Sequence, residues 1–126
     1  MSLYVQQQDI HVNSKGEENR TPLFFASAHG HADIVQLLLD NAETDVNSKD
    51  KYNRTPLFVA SLNGKSDIVT LLLDQPEIDV NIKDSEAKTA LMVAESKGHY
   101  TVAQMLREHN GEVESSMSTG GISSYF

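Results

Sequence analysis

Cysteine is absent from this 126-residue chain, which excludes disulfide bonds and thiolate metal sites. No apolar run approaches the roughly 18 residues that a membrane span needs. Residues 1–9 also lack the basic flank and apolar core of a secretory signal. We therefore expect a cytoplasmic or nuclear location. The net charge of -8 argues against a general affinity for nucleic acid or anionic membranes, because both reward a basic surface.

Two long segments of the chain repeat each other at a spacing of 34 residues. Residues 16–49 and 50–83 share 21 identical positions, including the pentapeptide Arg-Thr-Pro-Leu-Phe and a run of three leucines. A third, more divergent copy follows at 84–111, and Val12-Asn13 lies one period before Val46-Asn47. A fixed period of this length is the signature of a repeat architecture.

Each repeat encodes two short helices. Thr21 is a good N-cap and Pro22 suits the first helical turn, so the sequence predicts a helix from Pro22 to about His29. Gly30 ends it, because glycine adopts the left-handed conformation without penalty. Apolar residues at three- and four-residue spacing predict a second helix over 32–40. Helices this short are marginal alone, so neighbouring repeats must cover their apolar faces.

This pattern resembles the ankyrin repeat over roughly residues 9–111. The resemblance implies a mainly α solenoid with hairpin fingers, made of three full repeats and an N-terminal partial repeat. The boundaries that we predict are 1–15 for the partial repeat, 16–49, 50–83 and 84–111 for the full repeats, and 112–126 for a flexible tail. The histidine that usually follows Thr-Pro-Leu in the family is Phe24, Phe58 or Met92 here.

The sequence predicts neither an enzyme nor a cofactor. His29 and His31 lack a neighbouring carboxylate or cysteine at ligand spacing, so no metal site is expected. No strand-turn-helix segment presents a nucleophile with a base, and the glycines form no phosphate-binding loop. In the ankyrin family, asparagines such as Asn47 and Asn81 brace the finger turns, and some are hydroxylated. Both remain candidate hydroxylation sites, each eight residues after a leucine.

The resemblance further implies that a partner protein binds the concave side, formed by the fingers and the first helix of each repeat. Tyr52 and Leu62 are large apolar residues at positions that the core does not require. The finger segments 14–20, 48–54 and 82–88 hold seven basic and five acidic residues, although the chain as a whole is acidic. We therefore expect a partner with an acidic patch around an apolar anchor. The candidate contact residues are Tyr52, Arg54, Leu62, Lys51, Asn63, Arg20, His29 and Lys88.

Three roles fit this sequence. A freestanding interaction scaffold, acting as a monomer without nucleic acid or membrane, is the leading expectation. A second is a substrate-targeting or regulatory fragment of a larger enzyme, such as a ubiquitin ligase or kinase, with the partial first repeat arising by excision. The third is a structural homo-oligomer, which the polar residues Arg107 to Asn110 at the end of repeat three disfavour.

Overall fold

The computed structural model describes residues 12–114, and the secondary structure of this part is helical. After a single 3₁₀ turn at Glu17–Asn19, six α-helices follow as three pairs. They are α1 (Pro22–His29), α2 (Ala32–Leu39), α3 (Pro56–Leu62), α4 (Ser66–Leu73), α5 (Ala90–Ser96) and α6 (Tyr100–Glu114). The predicted all-helical repeat fold is confirmed. Most of the predicted partial repeat and tail, residues 1–11 and 115–126, lies outside the described residues.

The first helix of repeat one begins and ends as the sequence predicts, and those of repeats two and three begin at the equivalent position and end one residue before the equivalent of His29. The hydroxyl oxygens of Thr21, Thr55 and Thr89 each accept a hydrogen bond from the backbone N–H three residues later, at 3.2, 3.1 and 3.3 Å. These bonds satisfy one of the free donors of each helix start. Gly30 follows α1 with φ of 75°, in the left-handed region that glycine alone enters freely. The second helix of repeat one ends at Leu39, one residue before the predicted end.

The three helix pairs stack side by side around one continuous core. Helix α3 packs between α1 and α5, while α4 packs between α2 and α6. Leu23, Leu57, Ile68 and Leu72 are almost completely buried in this stack. Each repeat thus completes the core of its neighbour, as repeat architectures require. No helix of residues 12–114 is long and apolar enough to cross a membrane.

The two ends of the stack differ in polarity. At the first repeat, Phe25, Ile34 and Leu37 are 42%, 47% and 69% exposed, whereas the residue equivalent to Ile34 in repeat two, Ile68, is fully buried. At the other end, helix α6 carries polar side chains outward. There Arg107 Nη2 lies 2.7 Å from Glu95 Oε2, and α6 continues to Glu114, three residues past the predicted end of the repeat.

Candidate functional site

The three finger segments are finger one (14–20), finger two (48–54) and finger three (82–88), and each is a turn closed by an equivalent backbone hydrogen bond. The N–H of Asp50 donates to the carbonyl of Arg54 at 2.9 Å, and that of Asp84 donates to the carbonyl of Lys88 at 2.9 Å. In fingers two and three the aspartate carboxylate also accepts two backbone N–H bonds, both of 2.8 Å at Asp50 and both of 2.9 Å at Asp84. The turn residues are therefore held in place by local bonds, which fixes where their side chains project.

Neighbouring fingers are joined by one backbone hydrogen bond at each junction. The N–H of Lys51 donates to the carbonyl of Glu18 at 2.8 Å, and the N–H of Ser85 donates to the carbonyl of Tyr52 at 2.9 Å. Tyr52 is thus bonded through its carbonyl to the third finger while its ring remains half-buried beside the first helices. This arrangement places finger residues of repeats two and three next to each other.

A groove of ≈ 490 Å³ lies between the fingers and first helices of repeats two and three. Its apolar lining comes from finger two, helix α3 and helix α5, and consists of Tyr52, Phe58, Leu62, Met92 and Val93. Its charged lining consists of Arg54, Asp84, Glu86, Lys88 and Lys97. Of the eight predicted contact residues, the structure brings Tyr52, Arg54, Leu62 and Lys88 together here.

Arg54 lies against an aromatic ring and not against a carboxylate. Its guanidinium carbon is 4.9 Å from the centroid of the Tyr52 ring, and Lys51 Nζ lies 5.7 Å from the same centroid. Within residues 12–110 no carboxylate lies within ion-pair distance of Arg54, although Asp84 holds the place in finger three that Asp50 holds in finger two. Arg54 therefore contributes an unneutralised positive charge to the groove lining.

Arg20, the equivalent residue in repeat one, is already neutralised. Its Nη2 lies 2.9 Å from Glu18 Oε1, and its Nε donates to Asp50 Oδ2 at 3.3 Å. The guanidinium also covers the ring of Phe24 at 5.0 Å. Part of the difference arises because Tyr52 occupies in repeat two the position of Glu18 in repeat one. Arg20 thus links fingers one and two.

The other predicted contact residues lie outside the groove lining. Asn63 Nδ2 donates to the carbonyl of Ala28 at 3.0 Å and so links repeats two and one. The exposed ring of His29 lies 5.9 Å from that of His31. Lys51 is exposed beside Tyr52. Conversely, Met92, Phe58, Val93 and Lys97 line the groove although none of them is among the eight predicted contact residues.

The two candidate hydroxylation sites differ in their surroundings. Asn47 Nδ2 donates to the carbonyl of Glu77 at 2.8 Å, and Asn47 Oδ1 accepts from the N–H of Asp79 at 2.9 Å. The amide thus joins the loop after α2 to the loop after α4 through backbone groups. Asn81 is exposed, and its side chain makes no hydrogen bond with residues 12–110. Hydroxylation of either residue stays a prediction.

His99 makes a structural contact between repeats two and three. Its Nε2 lies 3.1 Å from the carbonyl oxygen of Leu62, which links α6 to the end of α3. In the described part of the chain, no group of three or more histidine, aspartate or glutamate residues is arranged to hold a metal ion. The groove lining combines one guanidinium, two lysines and two carboxylates with an apolar base.

One comparison with known proteins identifies a family. The family model described as ankyrin repeats, in 3 copies, matches residues 1–84 of the chain. The match covers both strongly similar repeats and reaches back to the first residue. A search of curated proteins finds no match.

Proposed function

Because the chain belongs to the ankyrin-repeat family, whose members generally act as protein–protein interaction modules, we propose that it binds a partner protein in the groove between repeats two and three. Ankyrin-repeat domains are typically non-catalytic, and a groove of this composition suits recognition. The observation that carries the proposal is the state of Arg54. It is the cation of the groove that lies on an aromatic ring without a carboxylate partner among residues 12–110.

The lining of the groove favours a partner segment with an apolar side chain and flanking carboxylates. Leu62 and Met92 provide an apolar base, and Met92 alone is 48% exposed. Burying apolar surface there contributes about 25 cal/mol per Å². Arg54 and Lys97 can pair with carboxylates of a partner. Lys88 is already weakly paired, because its Nζ lies 3.6 Å from Glu86 Oε1. Aromatic and arginine residues dominate interface energetics when they become fully covered.

A paired substitution tests the location of the site. The partner is captured from a lysate of the native cell, and its affinity for the wild type is compared with that for Tyr52→Ala/Arg54→Ala. We expect the double variant to lose about 2 kcal/mol or more of binding free energy, the range of interface hot spots. Arg20→Ala is the matched control, because Arg20 is held by two carboxylates, and we expect it to bind normally.

Folding must be checked for both variants. Tyr52 and Arg54 lie outside the buried core, so circular dichroism and thermal unfolding of the double variant should resemble those of the wild type. Arg20→Ala should keep the fold but unfold at a lower temperature, because it removes the Nε bond to the buried carboxylate of Asp50. If the double variant bound the captured partner as tightly as the wild type did, the groove would not be the binding site. A loss of binding in Arg20→Ala alone would move the site to the junction of repeats one and two.

A further inference from the structure

Met92 is far more exposed than the equivalent residues of the other two repeats. Phe24 and Phe58, which stand at the same repeat position, are each 4% exposed, whereas Met92 is 48% exposed. Its backbone N–H is fixed by the hydroxyl of Thr89 at the start of α5. Its side chain forms part of the groove lining. A half-exposed methionine side chain therefore lies at the base of the groove that we propose as the binding site.

The second methionine of the described residues provides an internal comparison. Met105 on α6 is partly buried and packs against the hydrophobic core, while Met92 is absent from that core. Oxidation of methionine requires an oxidant to reach the sulfur, so susceptibility follows exposure. The two residues therefore differ in the one property that controls the reaction, within the same folded molecule.

We propose that Met92 is a site of reversible oxidation by peroxides and that the sulfoxide weakens binding in the groove, an inference that rests on the proposed function. Hydrogen peroxide transfers one oxygen atom to Sδ of Met92. The S–O bond forms as the O–O bond breaks, and the second oxygen leaves as water. Sulfur is oxidised by two electrons and the peroxide is reduced by two. Methionine sulfoxide reductases reverse the change.

Oxidation changes the groove in two ways that both oppose the proposed partner. The flexible apolar thioether becomes polar, so an apolar anchor on Leu62 and Met92 loses favourable contact area. The sulfoxide oxygen is also a hydrogen-bond acceptor, placed in a groove that Arg54 and Lys97 line. It competes with partner carboxylates for those donors. The core is untouched, because Met92 is not among its residues.

The first test measures the chemistry without any partner. The folded protein is treated with hydrogen peroxide, and tandem mass spectrometry follows the gain of about 16 Da at each methionine. We expect Met92 to be oxidised severalfold faster than Met105, with unchanged circular dichroism and a thermal midpoint close to that of the reduced protein. Equal rates at the two residues, or unfolding that accompanies oxidation of Met92, would overturn the proposal.

The second test measures the groove with a defined probe. The dye 1-anilinonaphthalene-8-sulfonate joins an aromatic body to a fixed negative charge, which matches the chemistry proposed for the partner. Its affinity is measured by fluorescence titration for the wild type and for Met92→Leu, each before and after peroxide treatment. We expect oxidation to weaken binding about threefold or more in the wild type and to leave Met92→Leu unchanged, since leucine keeps a similar volume and cannot be oxidised.

The variant Tyr52→Ala/Arg54→Ala separates the two hypotheses. If this double variant binds the dye less well but oxidised wild type does not, the groove stands and the Met92 proposal fails. If the double variant binds the dye as the wild type does, the proposed recognition chemistry of the groove fails. If peroxide weakens binding equally in the wild type and in Met92→Leu, another residue is responsible and the Met92 proposal fails.

Discussion

Gly64 lies directly against the imidazole ring of His99, so closely that a Cβ on Gly64 would stand 2.6 Å from Nδ1 of His99. The ring cannot simply turn away, because its Nε2 lies 3.1 Å from the carbonyl of Leu62. Gly64 also has φ of 70°. Repeat two and repeat three therefore meet at a point where both the backbone conformation and the available space require glycine.

Gly64→Ala should destabilise the protein more than Gly98→Ala does. Gly98 has φ of 77°, so both substitutions incur the cost of a left-handed alanine, about 1 kcal/mol. A Cβ on Gly98, however, meets its nearest atoms only at 4.0 Å. We expect Gly64→Ala to cost about 1 kcal/mol more, from the displaced His99 and its hydrogen bond. Urea unfolding measures both, and equal costs would show that His99 moves freely.

Asp50→Ala should be more destabilising than Asp84→Ala. Both carboxylates accept two backbone N–H bonds in their own finger. The fully buried side chain of Asp50 additionally accepts Arg20 Nε from the neighbouring finger. We expect a loss of about 2–3 kcal/mol for Asp50→Ala and about 1 kcal/mol for Asp84→Ala. Comparable losses in urea unfolding would mean that Arg20 contributes nothing to the junction of repeats one and two.

Ser61→Ala should leave stability unchanged or raise it by up to about 1 kcal/mol. The Ser61 hydroxyl is buried without a hydrogen-bond partner among residues 12–114, and an unpaired buried polar group is unfavourable. Thr55→Ala is a matched control in the same repeat, because its hydroxyl caps α3, and we expect it to cost about 1 kcal/mol. Thermal unfolding compares them. A clear loss for Ser61→Ala would reveal a bond that its hydroxyl makes in solution.

Asn47→Ala should cost about 1–2 kcal/mol of unfolding free energy, whereas Asn81→Ala should cost little. The Asn47 amide bridges two backbone groups of the next loop, and the Asn81 side chain makes no such bond within the described residues. The same contrast predicts that Asn81 is the more accessible to an asparaginyl hydroxylase. Chemical denaturation tests the first expectation. Peptide mapping after treatment with a hydroxylase tests the second, and preferential modification of Asn47 would contradict it.

The sequence predicts the helices well because their signals are local. Thr21 and Pro22 define the start of α1, and Gly30 defines its end, within ten consecutive residues. The same signals recur one period later, so both repeats follow from one argument. The repeat period also predicts the stacking, because short amphipathic helices need identical neighbours to bury their apolar faces.

The groove is only partly predictable because its properties depend on residues from different repeats. Arg20 and Arg54 are equivalent in sequence, yet only Arg20 is neutralised, by Glu18 and by Asp50 thirty residues away. Met92 stands at the repeat position of Phe24 and Phe58, which are both buried, yet it is exposed. Whether such a residue is covered depends on the neighbouring repeat, and the pattern around Met92 carries no information about that.

The hydrogen bonds that join finger two to its neighbours have a consequence for engineering. The N–H of Lys51 is bonded to finger one in the same way as the N–H of Ser85 is bonded to finger two, and the amides of Asn13 and Asn47 bridge successive loops with the same geometry. Residues 50–83 therefore have matching connectors on both sides. A tandem duplication of this cassette would lengthen the array by one complete module and give it two Tyr52–Arg54 pairs in a row.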